Sequence, residues 1–80
     1  MSVSGVLVVC RREHLASVRA AIGGIPGVEV HHADPSGRFV LTIEGSTTDG
    51  CMERLRAIQG LPDVLSAEMA VHVLEDEGHP

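Results

Sequence analysis

Aromatic and lysine side chains are almost missing from this chain. Its 80 residues include no Trp, no Tyr and one Phe, and all six positively charged residues are arginines, against eleven Asp and Glu. The formal net charge is −5. Nucleic-acid-binding surfaces need clustered Lys and Arg, and single-strand binders also need aromatic stacking platforms. The composition therefore disfavours a nucleic-acid partner and favours a cationic one.

Cysteine and long apolar runs are also scarce. Cys10 and Cys51 form no CxxC pair, a pattern typical of buried thiols in a reducing compartment, although a disulfide between them is an alternative. The longest apolar run, Val6 to Cys10, is too short for a membrane span or a secretory signal. We therefore expect a soluble cytoplasmic protein with no membrane span.

The apolar residues that are present follow strand and helix periodicities in turn. Apolar and polar residues alternate in the strand candidates, whereas apolar residues recur every three or four positions in the helix candidates. The predicted elements are strand one over Val3–Cys10, helix one over Arg12–Gly23, strand two over Val28–His31, strand three over Arg38–Glu44, helix two between Thr48 and Gly60, and strand four over Val64–Leu74.

An internal repeat supports this layout. Residues 22–28 and 58–64 share the pattern I-x-G-(I/L)-P-x-V, and each follows a helix and leads into a strand. Two such halves predict an α+β fold, the ferredoxin-like βαββαβ sandwich, with a four-stranded antiparallel sheet and both helices on one face. We expect one domain over residues 1–74 and a disordered acidic tail over residues 75–80. A long helical bundle is the alternative, and the β-branched strands argue against it.

The sheet face without helices is where we expect a binding site. If Phe39, Leu41 and Ile43 enter the core, alternation in each strand predicts which side chains face outward. On strand four it predicts Leu65, Ala67, Met69 and Val71 inward. The candidate binding residues are Val6, Val8, Glu29, Arg38, Val40, Thr42, Glu44, Glu68, Ala70 and His72.

The predicted surface has an apolar centre and an acidic rim. The centre comprises Val6, Val8, Val40 and Ala70, and the rim comprises Glu29, Glu44 and Glu68. Such a surface suits a ligand with an apolar body and positive ends. A plain solvated face, or a face buried in a homodimer, is the alternative.

Motifs for catalysis, metals or cofactors are not found. His31 and His32 are neighbours in a strand, where adjacent side chains point to opposite faces, so we expect no shared metal ion. No nucleophile, base and orienting group fall together in the sequence, and no glycine-rich loop opens a helix. We assign no catalytic residue, metal or cofactor, and expect that the protein is not an enzyme.

Four segments together resemble the NapD family, and the resemblance covers nearly the whole chain. They are the strand Gly5–Val9, the segment Ile25–Val30, the hairpin Asp34–Glu44, and the step Leu61–Ala67 into the last strand.

The resemblance implies a function. Members of the family are small ferredoxin-like cytoplasmic proteins that bind the signal peptide of the catalytic subunit of the periplasmic nitrate reductase, a molybdenum enzyme exported by the twin-arginine route. A similar chain would hold that peptide and delay export until the cofactor is inserted. Carboxylates of the predicted rim would then meet the paired arginines of the peptide.

Two other functions are left open by the sequence. Domains of the βαββαβ class with an (I/L)-P-x-V step also resemble ACT and RAM modules, which sense amino acids or other small molecules at oligomer interfaces. Those modules usually accompany a DNA-binding domain, which we do not expect within these 80 residues. A dimerisation or scaffolding domain without a ligand is the third possibility.

Overall fold

Residues 1–74 are described by the structure, a computed structural model. The predicted acidic tail, residues 75–80, lies outside the described residues. The elements are β1 (Ser2–Cys10), a 3₁₀ turn (Arg12–His14), α1 (Leu15–Gly23), β2 (Val28–Asp34), β3 (Arg38–Gly45), α2 (Thr48–Gln59) and β4 (Val64–Leu74).

The four strands form one antiparallel sheet in the order β2-β3-β1-β4. The two central strands are therefore β1 and β3, and the strands that close each βαβ half, β2 and β4, lie at the edges. This is the ferredoxin-like arrangement, and the predicted fold is confirmed.

The core lies between one face of the sheet and the two helices. Phe39, Leu41 and Ile43 of β3 are fully buried there. The helices contribute buried residues Val18 and Ile22 from α1, and Cys51, Leu55 and Ile58 from α2. Burial of each large aliphatic side chain contributes about 1.5–3 kcal/mol, so this layer is the main source of stability.

The two helices begin differently. The side-chain oxygen of Thr47 accepts a hydrogen bond from the Gly50 N–H at 3.0 Å, and Asp49 follows in the first turn of α2. This cap and the negative charge both stabilise the positive end of the helix. Helix α1 has no side-chain cap and starts after the 3₁₀ turn, which occupies the first residues of the predicted helix one.

The repeated segments form the same backbone turn twice. The Ile25 N–H donates to the Ile22 carbonyl at 3.1 Å, and the Leu61 N–H donates to the Ile58 carbonyl at 3.1 Å. Each turn ends in a residue with positive φ, Gly27 at 81° in the first half and Asp63 at 73° in the second. The sequence repeat therefore corresponds to a repeated path of the chain from helix to strand.

The edge strands contain extra residues that interrupt the alternation of their side chains. In β4, Ala70 has no partner because neighbouring residues of β1 pair with Met69 and Val71. Leu65 is a second extra residue of the same strand, and His31 is the extra residue of β2. Each extra residue shifts the alternation by one position. Side chains beyond a bulge therefore point to the opposite face from the one that counting along the strand predicts.

Candidate functional site

The face of the sheet opposite the helices is not covered by any element of residues 1–74, and we call it the open face. Strand pairing defines its members, because residues directly opposite each other share a face. They are Glu29, His31, His32 and Asp34 on β2; Arg38, Val40, Thr42 and Glu44 on β3; Val3, Gly5, Leu7 and Val9 on β1; and Ser66, Glu68, Val71 and Val73 on β4.

An exposed apolar patch occupies the centre of the open face and its β4 side. Leu7, Val40, Val71 and Val73 are 42%, 46%, 56% and 47% exposed. Leu7 lies directly opposite Val40 on β3, and Val3 lies directly opposite Val73 on β4. Large side chains left this accessible on neighbouring strands form a continuous surface that can bury apolar groups of a partner.

Three exposed carboxylates flank this patch. Glu29 lies opposite Thr42, Glu44 lies opposite Val3, and Glu68 lies opposite Leu7. Within residues 1–74, none of the three carboxylates makes a hydrogen bond or an ion pair. They can therefore accept hydrogen bonds from a cationic group without first breaking an internal contact.

A shallow depression lies at one corner of the open face, where β2 and β3 meet. Its volume is about 310 Å³, and its lining residues are Gly27, Val28, Glu29, Thr42 and Glu44. Gly27 is required here, because a Cβ at this position would overlap the Glu44 carbonyl oxygen. The close contact between the backbones of Gly27 and Glu44 therefore shapes both the turn before β2 and the depression.

Positive and titratable groups also lie on or near this face. Arg38 is at the opposite end of β3 from Glu44, beside Asp34. Hydrogen bonds from Ser36 lower the pKa of Asp34, and the largest contribution comes from the Ser36 backbone N–H, which donates to Asp34 Oδ1 at 2.9 Å. The nearby His32 and Arg38 lower this pKa as well. This carboxylate therefore belongs to the hairpin turn and is less available to a ligand than the three glutamates.

The two adjacent histidines share the open face, contrary to the sequence expectation. His31 is the extra residue of the β2 bulge, and its Nε2 is 2.8 Å from Oγ1 of Thr42 in a hydrogen bond. His32 lies opposite Val40. Within residues 1–74, no group of three or more His, Cys, Asp or Glu side chains is arranged to hold a metal ion.

No helix within residues 1–74 has both the length and the apolar character required to cross a bilayer.

Comparison with known proteins identifies the family. The NapD protein family matches residues 1–76. The chain belongs to the NapD family. Among solved structures, it is similar to one described as the solution structure of the E. coli Tat proofreading chaperone protein NapD, with a TM-score of 0.82 and 22% sequence identity, covering 96% of this chain and 82% of that chain. At this identity, the similarity shows the shared fold. Comparison with curated protein sequences finds no match.

In this NapD family member, six of the ten candidate binding residues lie on the open face: Glu29, Arg38, Val40, Thr42, Glu44 and Glu68. Ala70 is exposed but occupies a bulge of β4 and has no partner on β1. A role of these residues in binding stays a prediction.

The predicted orientation of the other three candidates is wrong. Val6 and Val8 are buried in the core against the helices, because they pair with the core residues Leu41 and Phe39 of β3. His72 also faces the helix side, since it pairs with Ser4 and its side chain bonds to that buried serine. The bulge at Ala70 explains the orientation of His72, because the extra residue inverts the alternation of side chains after Met69.

For the same reasons, the candidate binding residues omit several side chains that lie on the open face. On β1 these are Val3, Leu7 and Val9, and on β4 they are Val71 and Val73. Alternation on strand four predicts Val71 in the core, whereas the structure places it on the open face. The apolar centre predicted from the sequence therefore exists, but different side chains form it.

The bond between Ser4 and His72 brings a hydroxyl and an imidazole together, as in hydrolytic sites. The Ser4 Oγ is 2.8 Å from His72 Nδ1, and Thr48 Oγ1 is 3.4 Å from His72 Nε2. Ser4 is fully buried beneath the sheet, so no substrate can reach its hydroxyl. The pair satisfies polar groups inside the fold and is not arranged for nucleophilic attack.

Proposed function

We propose that this protein is a cytoplasmic chaperone that binds the signal peptide of a protein exported by the twin-arginine route. The client is the catalytic subunit of a periplasmic nitrate reductase, and the peptide is held until the molybdenum cofactor is inserted. The protein acts by binding and is not an enzyme. Family membership and the similarity to a Tat proofreading chaperone support this role.

The main structural support is the pairing of apolar surface with carboxylates on the open face. A twin-arginine signal peptide carries adjacent arginines beside an apolar segment. Leu7, Val40 and Val71 can bury the apolar segment, while Glu29 and Glu44 can accept hydrogen bonds from guanidinium groups. Ion pairs between exposed partners contribute about 0.2–1 kcal/mol each, which suits a reversible complex.

The same charges argue against self-association through this face. A face-to-face homodimer would bring Glu29, Glu44 and Glu68 of both copies into one apolar interface. Within residues 1–74, each copy offers one open-face arginine, Arg38, against these three glutamates, so most of the carboxylates would lose their hydration without an arginine to pair with, which is destabilising. A cationic peptide removes this penalty, so it fits the surface better than a second copy of the chain.

Retention of the client follows from the same contacts. Arginines that are bonded to the open face are not accessible to the export machinery, so the bound peptide is not competent for transport. Because the contacts are side-chain hydrogen bonds and apolar burial, the complex can dissociate once the client has matured. We therefore expect moderate affinity and rapid exchange.

Calorimetric titration of the purified protein with a twin-arginine signal peptide of a periplasmic nitrate reductase tests the proposal. We expect a dissociation constant in the micromolar range or tighter, and clear weakening when both arginines are replaced by glutamine. Added salt should weaken only the charged component. If the folded protein binds neither peptide, the proposal is wrong, and the small-molecule-sensing or scaffolding function becomes the better explanation.

A further inference from the structure

The open face has an acidic half and an apolar half. Glu29 and Glu44 lie on the adjacent strands β2 and β3, whereas β4 carries one carboxylate, Glu68. On the same cross-strand rows as Glu29 and Glu44, the residues on the β4 side are Val71 and Val73. A ligand with one cationic end and one apolar end therefore does not fit in both directions equally well.

The two carboxylates of the acidic half are spaced for a pair of cations. Glu29 lies opposite Thr42, and Glu44 is the next residue of β3 on the same face. Such diagonal neighbours are separated by roughly 7–8 Å on an antiparallel pair, within reach of two adjacent arginine side chains. The depression of about 310 Å³ lies between them and gives the guanidinium groups a place below the rim.

Arg38 disfavours one end of β3 as the position of the cationic end, whereas Arg54 of α2 leaves the Glu44 carboxylate unpaired. Arg38 is on the open face at the other end of β3, four residues before Thr42, and repels a guanidinium group there. Arg54 approaches Glu44, but its Nη1 donates to the backbone carbonyl at 3.4 Å and not to the carboxylate. The corner of Glu29 and Glu44 combines two carboxylates that have no partner within residues 1–74 with an adjoining cavity.

Given the proposed function, we propose that the signal peptide lies across the strands in one direction. Its paired guanidinium groups bind Glu29 and Glu44 at the β2–β3 corner, and its apolar segment covers Leu7, Val71 and Val73. The basic end of the peptide is thus at the β2 edge and its apolar end at the β4 edge. The distance between these edges is roughly 14 Å, from three strand spacings.

Neutralising single carboxylates tests the position of the arginines. We expect E29Q and E44Q each to weaken peptide binding about threefold to tenfold, and E68Q about twofold or less. E53Q, on the exposed surface of α2, is the control that changes the net charge equally and should leave affinity unchanged. In the peptide whose arginines are replaced by glutamine, the effects of E29Q and E44Q should disappear. A larger effect of E68Q than of E44Q would overturn the proposed direction.

Spin labels at either end of the peptide test the direction independently. A nitroxide at the basic end should broaden the amide signals of Glu29 and Glu44 more than those of Val71 and Val73, and a nitroxide at the apolar end should reverse this order. Binding with the opposite pattern would overturn the direction and leave the proposed function standing. Failure of the unlabelled peptide to bind would overturn both.

Discussion

The side chain of Val71 lies over Gly5 on the open face. Val71 and Gly5 are opposite each other on β4 and β1, and Cγ1 of Val71 is 2.7 Å from the point that a Cβ on Gly5 would occupy. The glycine thus provides the space that the valine fills. This contact positions one of the most exposed apolar side chains of the proposed binding surface.

Substitution of Gly5 should therefore depend on Val71. In the native background, we expect G5A to destabilise the protein by about 1 kcal/mol, because the new methyl group displaces a stiff β-branched side chain. With V71A present, the same change should be neutral or stabilising, since alanine is preferred over glycine in a strand. A double-mutant cycle by urea denaturation measures the coupling. Equal effects of G5A in both backgrounds would contradict the contact.

Removal of the His72 side chain should destabilise the fold from the helix side. H72L leaves the fully buried Ser4 hydroxyl without its partner, at a cost of about 1–3 kcal/mol. H32L, on the exposed face of β2, should change stability by about 0.5 kcal/mol or less. The double change S4A/H72L should cost less than the sum of its parts, which thermal or urea unfolding can measure. Additive costs would mean that the two side chains are not coupled.

The two positive-φ residues of the repeat should respond differently to substitution. G27A forces a Cβ both into the left-handed region and against the Glu44 carbonyl, so we expect a loss of at least about 2 kcal/mol. D63G removes strain at 73° but also an exposed contact in which Asp63 Oδ2 is 3.7 Å from His14 Nδ1, so its net effect should be within about 1 kcal/mol. Denaturant midpoints of both variants measure the two changes in stability. Equal losses of stability in G27A and D63G would show that the close contact between Gly27 and the Glu44 carbonyl is unimportant.

Stability should also fall at alkaline pH because of Cys10. Burial raises the pKa of the Cys10 thiol, and the carboxylates of Asp63 and Glu13 raise it further. The folded state therefore holds the proton more tightly than the unfolded state, which ionises first once the pH exceeds the usual thiol value of about 8.5. The wild type should lose more free energy of unfolding between neutral pH and about pH 10 than C10A. A parallel loss in both proteins would exclude a contribution from this thiol.

The repeat and the alternation of β3 were sufficient to predict the fold. Phe39, Leu41 and Ile43 alternate with the smaller or polar residues Val40 and Thr42. The sequence therefore indicates which face of this strand enters the core. The repeated pattern at residues 22–28 and 58–64 predicted the positions of both helix-to-strand connections. These features depend on local sequence, which explains why they could be identified without long-range information.

The composition of the open face could not be predicted to the same degree. Strand β1 is apolar on both faces, and its two polar residues, Ser2 and Ser4, are buried because Thr48 and His72 bond to them from other elements. On β4, alternation is inverted by the bulge at Ala70, which no local pattern indicates. Both errors arise from contacts between residues that are distant in sequence.

Methyl NMR of the protein bound to a twin-arginine signal peptide tests the central claim most directly. With labelled Ile, Leu and Val methyl groups, we predict intermolecular nuclear Overhauser effects to Leu7, Val40, Val71 and Val73, which lie on the open face. The methyl groups of Leu15 and Leu61, which are partly exposed on the helix side, serve as controls and should show none. Contacts to Leu15 or Leu61, without contacts to the four open-face residues, would contradict the account.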